Sequence, residues 1–241
     1  MPRFFLSEIP SDRVSLMGES ARHIARSLRM KAGEKIVLCD GKGVDCHGEI
    51  SQITDNEVIV EIRERVENKT EPSVHIRLYQ AMPKGDKFEQ IVQKSVELGV
   101  FEIIPVLTAR CISRPDAKSM RKKIERYNKI AYEAAKQSGR GRIPLVRELL
   151  PFDQALKDAC GREGETLLFY ECGGQRIPAL VDAGCSELSI FIGSEGGFEP
   201  SEVERAMEAG AQIASLGSRI LRCETAPLCA LSVLLFYTQN I

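Results

Sequence analysis

At 241 residues, with 43% hydrophobic and 28% charged side chains and a formal net charge of −1, the chain has an ordinary soluble composition. It is long enough for one large domain or two small ones. The opening MPRFFLSEIPSDR lacks the pattern of a secretory signal, and the longest apolar stretch, Leu228–Phe236, is too short for a membrane span, so a cytoplasmic protein is expected. Eight cysteines, at 39, 46, 111, 160, 172, 185, 223 and 229, form no C-x-x-C and are joined by only three histidines, which argues for reduced thiols and no metal.

In chain order, alternating apolar and polar residues predict strands at Arg3–Leu6, Lys35–Cys39, Val44–Ile53 and Glu57–Val66, with turns at 41–43 and Asp55-Asn56. A helix over 19–28 places Ala21, Ile24, Ala25 and Leu28 on one face. These elements predict a small β-rich barrel over residues 1–71, closed off by the polar linker of residues 67–72. From there the texture becomes alternating strands and helices. A strand at Val74–Met82 precedes a helix ending at Leu98, with Asp86 and Glu89 as its capping box and Gly99 as its stop. Further strands are predicted at 101–107, 166–170, 188–192 and 212–216. Helices are predicted at 119–137, 152–160, 177–183, 200–209 and 225–238. Residues 72–241 are thus expected to form an α/β domain with a mainly parallel sheet.

Charge is uneven. From Arg114 to Arg147 there are 11 basic residues against Asp116, Glu125 and Glu133, a local excess of +8 that points either to a polyanion contact or to a solvated helix face. Ligands of open α/β sheets gather at the carboxyl ends of strands. Three such ends are glycine-bearing: YECGG at 170–174, GSEGGF at 193–198 and LGSR at 216–219. No lysine follows the glycines as in a phosphate loop, and the G-x-G-x-x-G fingerprint is absent. A nucleoside-like molecule read by main-chain groups between apolar walls fits better.

IGSEGGF at 192–198, LGSRILRCETAP at 216–227, RFF at 3–5, HIARSLRM at 23–30, QKSVELGV at 93–100 and QSGR at 137–140 together resemble, in order, the blocks of the RsmE family of SPOUT RNA methyltransferases. Ser194, Ser218 and Cys223 stand where that family usually carries proline, proline and threonine. Losing each proline gives up about 0.4–1 kcal/mol of rigidity.

The resemblance implies a trefoil-knotted α/β domain behind a PUA-like, RNA-binding β-barrel, although knots are otherwise nearly absent from protein folds. It also implies a homodimer and S-adenosylmethionine (SAM) as cofactor. The expected reaction is methylation of N3 of a uridine in small-subunit (16S) ribosomal RNA, in the assembled 30S subunit. The cofactor residues expected are Leu168, Tyr170, Glu171, Ile192, Gly193, Glu195, Gly196, Gly197, Leu216, Gly217, Ile220, Leu221 and Thr225.

Deprotonated uridine N3 spreads charge onto its flanking carbonyl oxygens, so a positioned arginine would stabilise it. Arg222 is the first candidate and Arg219 the second. Glu224 is expected to orient that arginine, or to accept the proton if its pKa is raised. An Arg222–Glu224 salt bridge that merely fixes the loop is the plainer alternative. Arg3, Arg22, Arg26, Arg29, Lys84, Arg140 and Arg142 are candidate RNA phosphate contacts, whereas Glu195 is read as a helix cap or loop brace. Three alternatives stay open: another target nucleotide, a SAM-holding RNA-binding module without catalysis, and a nicotinamide-dependent oxidoreductase.

Overall fold

A computed structural model describes residues 1–9, 11–54 and 56–241, so Asp55 of the expected turn lies outside the described residues. Two compact units result. The first comprises Met1–Glu71 with Ala135–Ile143, and the second Pro72–Ala134 with Pro144–Ile241.

In the first unit, strands β1 (Arg3–Phe5), β2 (Arg13–Met17), β3 (Lys35–Cys39), β4 (Val44–Ile53) and β5 (Glu57–Glu67) form a half-barrel sheet in the order β1-β3-β4-β5-β2. Only β1 and β3 run parallel. Strand β2 was not expected. Its RVSLM does alternate, with Val14 and Leu16 buried and Arg13, Ser15 and Met17 exposed, but over a run too short to stand out. Helix α1 (Gly18–Arg22) continues as one π-helical turn, His23–Ser27. That wider turn rotates the face, so Ala21 and Ile24 are buried whereas Leu28, expected inside, is 40% exposed. The core is filled by Phe4, Leu16, Ile24, Leu38, Ile50 and Val60.

The second unit contains β6 (His75–Ala81), α2 (Lys87–Leu98), β7 (Glu102–Leu107), α3 (Ala117–Ser138, whose last turn belongs to the first unit), β8 (Leu145–Val146) and β9 (Leu150–Pro151). It continues with α4 (Phe152–Cys160), β10 (Glu165–Phe169), β11 (Glu187–Ile192), α5 (Pro200–Glu208), β12 (Gln212–Ala214) and α6 (Ala226–Tyr237). The sheet is wholly parallel, in the order β12-β10-β11-β6-β7-β8, with β9 beside β7. Its strands are buried runs, as sheets covered on both faces require. Tyr79 and Phe191 stack at 4.6 Å across neighbouring strands, and Phe152 and Phe198 complete that cluster.

Two local expectations are corrected. Pro178 falls within the helix expected at 177–183, and only the 3₁₀ turn Ile177–Ala179 forms. At α2 the Asp86 side chain makes no capping bond, and Glu89 reaches Arg126 instead at 2.7 Å. A capping box does form at α5, between Glu199 and Glu202. Buried Glu202 is satisfied there: its carboxylate accepts from Glu199 N at 2.9 Å and Ala109 N at 2.8 Å.

Candidate functional site

The segments that follow β10, β11 and β12 meet at one end of the sheet. Ser215 N donates to Gln175 O at 2.9 Å and Gln175 N to Ile213 O at 2.9 Å, which joins the first segment to the third. The middle one is a tight turn, with Gly197 N donating to Ser194 O at 3.0 Å. Gly197 has φ +66°, a backbone conformation that favours glycine, and the Glu171 carboxylate lies over it where a Cβ would otherwise sit. Fully buried Gln80, at the end of β6, donates from Nε2 to Gly193 O at 3.3 Å.

Together the segments line a cavity of about 80 Å³ that opens to solvent, walled by Tyr170, Glu171, Ile192, Gly193 and Gly197 and by Leu216, Gly217, Arg219, Ile220 and Leu221. Ten of the expected residues are therefore brought together, Arg219 among them. Gly217 has φ +99° and no heavy atom within 4 Å of where a Cβ would be, so the backbone turns there and stays accessible. Ile220 is 80% exposed, an apolar side chain with little protein around it. Ser194 Oγ is buried without a hydrogen-bond partner among the described residues. The cavity's apolar side chains with main-chain edges suit a nucleoside.

Other expected residues stand back from the wall. Leu168 is fully buried in the core beneath, Thr225 is the N-cap residue of α6, and Gly196 packs against Arg110. Phe169, Ser194, Cys223 and Ala226, not anticipated as cavity residues, help line it.

Glu195 and Glu224 share Lys87, which sequence reasoning missed. Lys87 Nζ is 3.2 Å from Oε1 of Glu195 and 3.1 Å from Oε2 of Glu224. Lys84 N donates to Glu195 at 3.1 Å and Cys223 Sγ to Glu224 at 3.1 Å. Glu195 thus braces the loop against the start of α2 and does not cap α5. Burial raises the Glu195 pKa, but main-chain donors and Lys87 more than offset this and hold it below the usual carboxylate range. The Cys223 thiol and then Lys87 likewise hold Glu224 down, so the raised pKa that a proton-accepting Glu224 requires is not met. Burial, then Glu224, pushes the Cys223 thiol up to about 12. No Arg222–Glu224 salt bridge forms. Arg222 and Arg219 are exposed and their guanidinium groups have no partner among the described residues.

The RNA candidates divide. Arg3 makes a two-pronged ion pair with Asp45 at 2.5 and 2.6 Å and is only 11% exposed. Arg140, 3% exposed, pairs with Glu71 at 2.6 and 3.1 Å. Both are committed inside the first unit and are withdrawn as phosphate contacts. Arg22, Arg26, Arg29 and Lys84 are exposed and Arg142 is half-buried. Among the described residues there is no metal-holding group of three or more His, Cys, Asp or Glu side chains, and no helix is long and apolar enough to cross a membrane.

Residues 70–235 match the model of an RNA methyltransferase domain, and residues 16–63 that of an RNA methyltransferase PUA domain. The chain is 35% identical to the ribosomal RNA small subunit methyltransferase E of Bacillus subtilis (strain 168), over 99% of this chain and 98% of that one. Its fold is similar to the crystal structure of a ribosomal RNA small subunit methyltransferase E from Neisseria gonorrhoeae bound to S-adenosyl methionine, with TM-score 0.88, 33% identity, and 98% and 97% of the two chains covered. It is also similar to a putative methyltransferase of Legionella pneumophila in complex with SAM, with TM-score 0.87, 32% identity, and 97% and 96% covered. The chain belongs to the ribosomal RNA small subunit methyltransferase E family.

Proposed function

We propose that this protein is a SAM-dependent methyltransferase acting on N3 of a uridine in small-subunit (16S) ribosomal RNA, with the assembled 30S subunit as its substrate in the cytoplasm. The observation that carries the reading is the cavity formed by the three post-strand loops in a chain whose relatives bind SAM. SAM, when bound, supplies an electrophilic methyl group. The residues present fit it: Gly217 leaves the main chain open, Ile220 and Leu221 offer an apolar wall, and the unpartnered Ser194 Oγ awaits a polar group.

Methyl transfer of this kind asks mainly for positioning. Arg222 is assigned to the carbonyl oxygen beside N3, where charge develops as the proton leaves, and Arg219 from the cavity wall is its deputy. Glu224 acts as a positioning residue through Lys87, and the general base is left to solvent or substrate. Residues 1–71 are assigned to RNA binding through Arg22, Arg26 and Arg29, and residues 72–241 to catalysis, with Lys84 as a further phosphate contact. Arg142, in the first unit, is kept as an RNA contact.

A homodimer completes the reading. Helix α6 buries Ala230, Leu231, Leu234 and Leu235, yet its outer side still presents Val233 (41% exposed) and Phe236 (73% exposed). A helix apolar all round calls for cover on both sides. The family's trefoil knot belongs to the same proposal, with the three cavity loops as its crossing segments.

The test offers labelled SAM with unmodified 30S subunits, free 16S rRNA or bulk tRNA, followed by nucleoside mass spectrometry. N3-methyluridine in the subunit supports the reading. Label in tRNA overturns the target, and SAM binding without transfer to any RNA overturns catalysis.

A further inference from the structure

Helix α3 divides its side chains by chemistry. Met120, Tyr127, Ala131 and Ala134 are buried. Around the opposite side, at helical spacing, lie exposed Lys118, Arg121, Lys122, Arg126 and Lys129, with half-buried Lys123 at the margin. Glu125 is the one acidic residue between Ala117 and Tyr132. Arg126 is held by Glu89. Lys118, Arg121, Lys122, Lys123 and Lys129 pair with no carboxylate among the described residues.

Beyond the Arg126–Glu89 pair the fold gains little from this arrangement. Asp116 caps the helix by accepting from Ser119 N at 2.9 Å, but no acidic residue occupies the first turn itself, and four of these cations stand in the first two turns, where the helix dipole disfavours positive charge. Lys118 with Arg121 and Lys122, and Lys122 with Arg126, are like-charged neighbours three or four apart, a destabilising pattern. Of the bases elsewhere, Arg63, Arg65, Arg77, Lys94, Arg147, Arg162 and Arg205 each have an acidic partner, and Arg219 and Arg222, at the cavity, have none among the described residues. A cationic face that strains its own helix and, Arg126 apart, neutralises no carboxylate among the described residues is complementary to an external polyanion. From Lys118 to Lys129 it runs about 16 Å at helical rise, enough for several phosphates.

We infer that the exposed face of α3 is an RNA-docking surface that grips the rRNA backbone through its phosphates. The inference rests on the rRNA reading above and adds a contact made by the methyltransferase domain, distinct in sequence from the half-barrel arginines. Because phosphate contacts release counterions, the affinity should fall with salt by a log–log slope of roughly 0.7 per contact.

The test compares wild-type protein with a variant carrying Lys118→Gln, Arg121→Gln, Lys122→Gln, Lys123→Gln and Lys129→Gln, and with one carrying arginine at the same four lysines. Anisotropy titrations with 16S rRNA across a salt series give the slopes, calorimetry gives SAM affinity, and melting gives the midpoint. The glutamine variant should lose roughly three to four units of slope, bind SAM as wild type and melt no lower, since repulsion has been removed. The arginine variant should match wild type throughout. A glutamine variant with an unchanged slope overturns this inference alone. One that loses RNA, SAM affinity and melting midpoint together also overturns it, because the lysines would then be holding the fold. Wild-type protein that binds no rRNA at any salt overturns the functional reading and this inference with it.

Discussion

Lys87 Nζ stands 3.1 Å from Glu224 and 3.2 Å from Glu195, so one ammonium ties the start of α2 to the loops after β11 and β12. Its pKa is raised by Glu224 first and Glu195 second. Lys87→Met leaves two carboxylates facing each other across the entrance to α6 and lets the cavity loops drift. Turnover should fall, by up to the order of 10²-fold for a displacement near 1 Å, with SAM affinity falling alongside it, while Lys87→Arg retains most of both. Calorimetric SAM titration of the two variants checks this, and an unaltered Lys87→Met protein would refute it. The pH sense follows from both carboxylates being held below their ordinary value of 4.5. Their stabilisation is present above that value and is lost only as acid carries the pH down through their lower folded values. SAM affinity should therefore hold level down to about pH 5.

Arg222 is exposed and uncommitted, as a group waiting for substrate should be. Arg222→Ala is expected to lower kcat by on the order of 10²–10³ and to leave SAM affinity within a few-fold. Single-turnover methyl transfer measures it, and near-normal turnover in a folded protein removes the assignment and passes it to Arg219.

Arg140 gives the opposite expectation. Arg140→Met leaves Glu71 beside a buried gap, which should cost about 2–3 kcal/mol, below the full range for a buried pair because Glu71 keeps the main-chain donors Gly141 N and Arg142 N and some contact with water. The salt slope of RNA binding should not change. Denaturant unfolding reads the first quantity and RNA titration the second. A variant of normal stability with a smaller slope would restore Arg140 to the RNA contacts.

Cys223 and Cys172 make a pair of thiols with opposite fates. Cys223 is buried and its pKa is pushed up to about 12, so at pH 8 it remains a protonated donor to Glu224, whereas Cys172 is exposed. Iodoacetamide at pH 8 should label Cys172 and spare Cys223 until the protein unfolds, because the thiolate is the attacking species. Peptide mass spectrometry of a time course would show it, and early labelling at 223 would contradict the buried position. Since the folded pKa is the higher one, the thiol's contribution is whole below its ordinary value of 9.0 and fades as the pH rises through the folded value.

What the residue order discloses depends on how far each signal reaches. Glycines just past a strand announce a cavity because strand end and glycine are neighbours in sequence, and Tyr170, Gly193 and Gly217 were legible for that reason. Lys87 was not, since both its carboxylates lie more than a hundred residues away and nothing local marks it as their partner. Arg3 and Arg140 misled in the same way: a base looks available until Asp45 or Glu71 is found against it. The π turn after α1 misplaced Leu28, since helix periodicity presumes an unbroken 3.6-residue turn.

Strand β11 lies between β6 and β10, and its register sets Glu187 opposite His75, 112 residues earlier. During synthesis β6 can pair with β7 at once, but its other edge stays bare until β11 has left the ribosome. The sheet therefore closes late and through long loops, a topology that folds slowly and leaves an apolar strand edge open to wrong partners. For much of its production the nascent chain is a sheet with a missing middle.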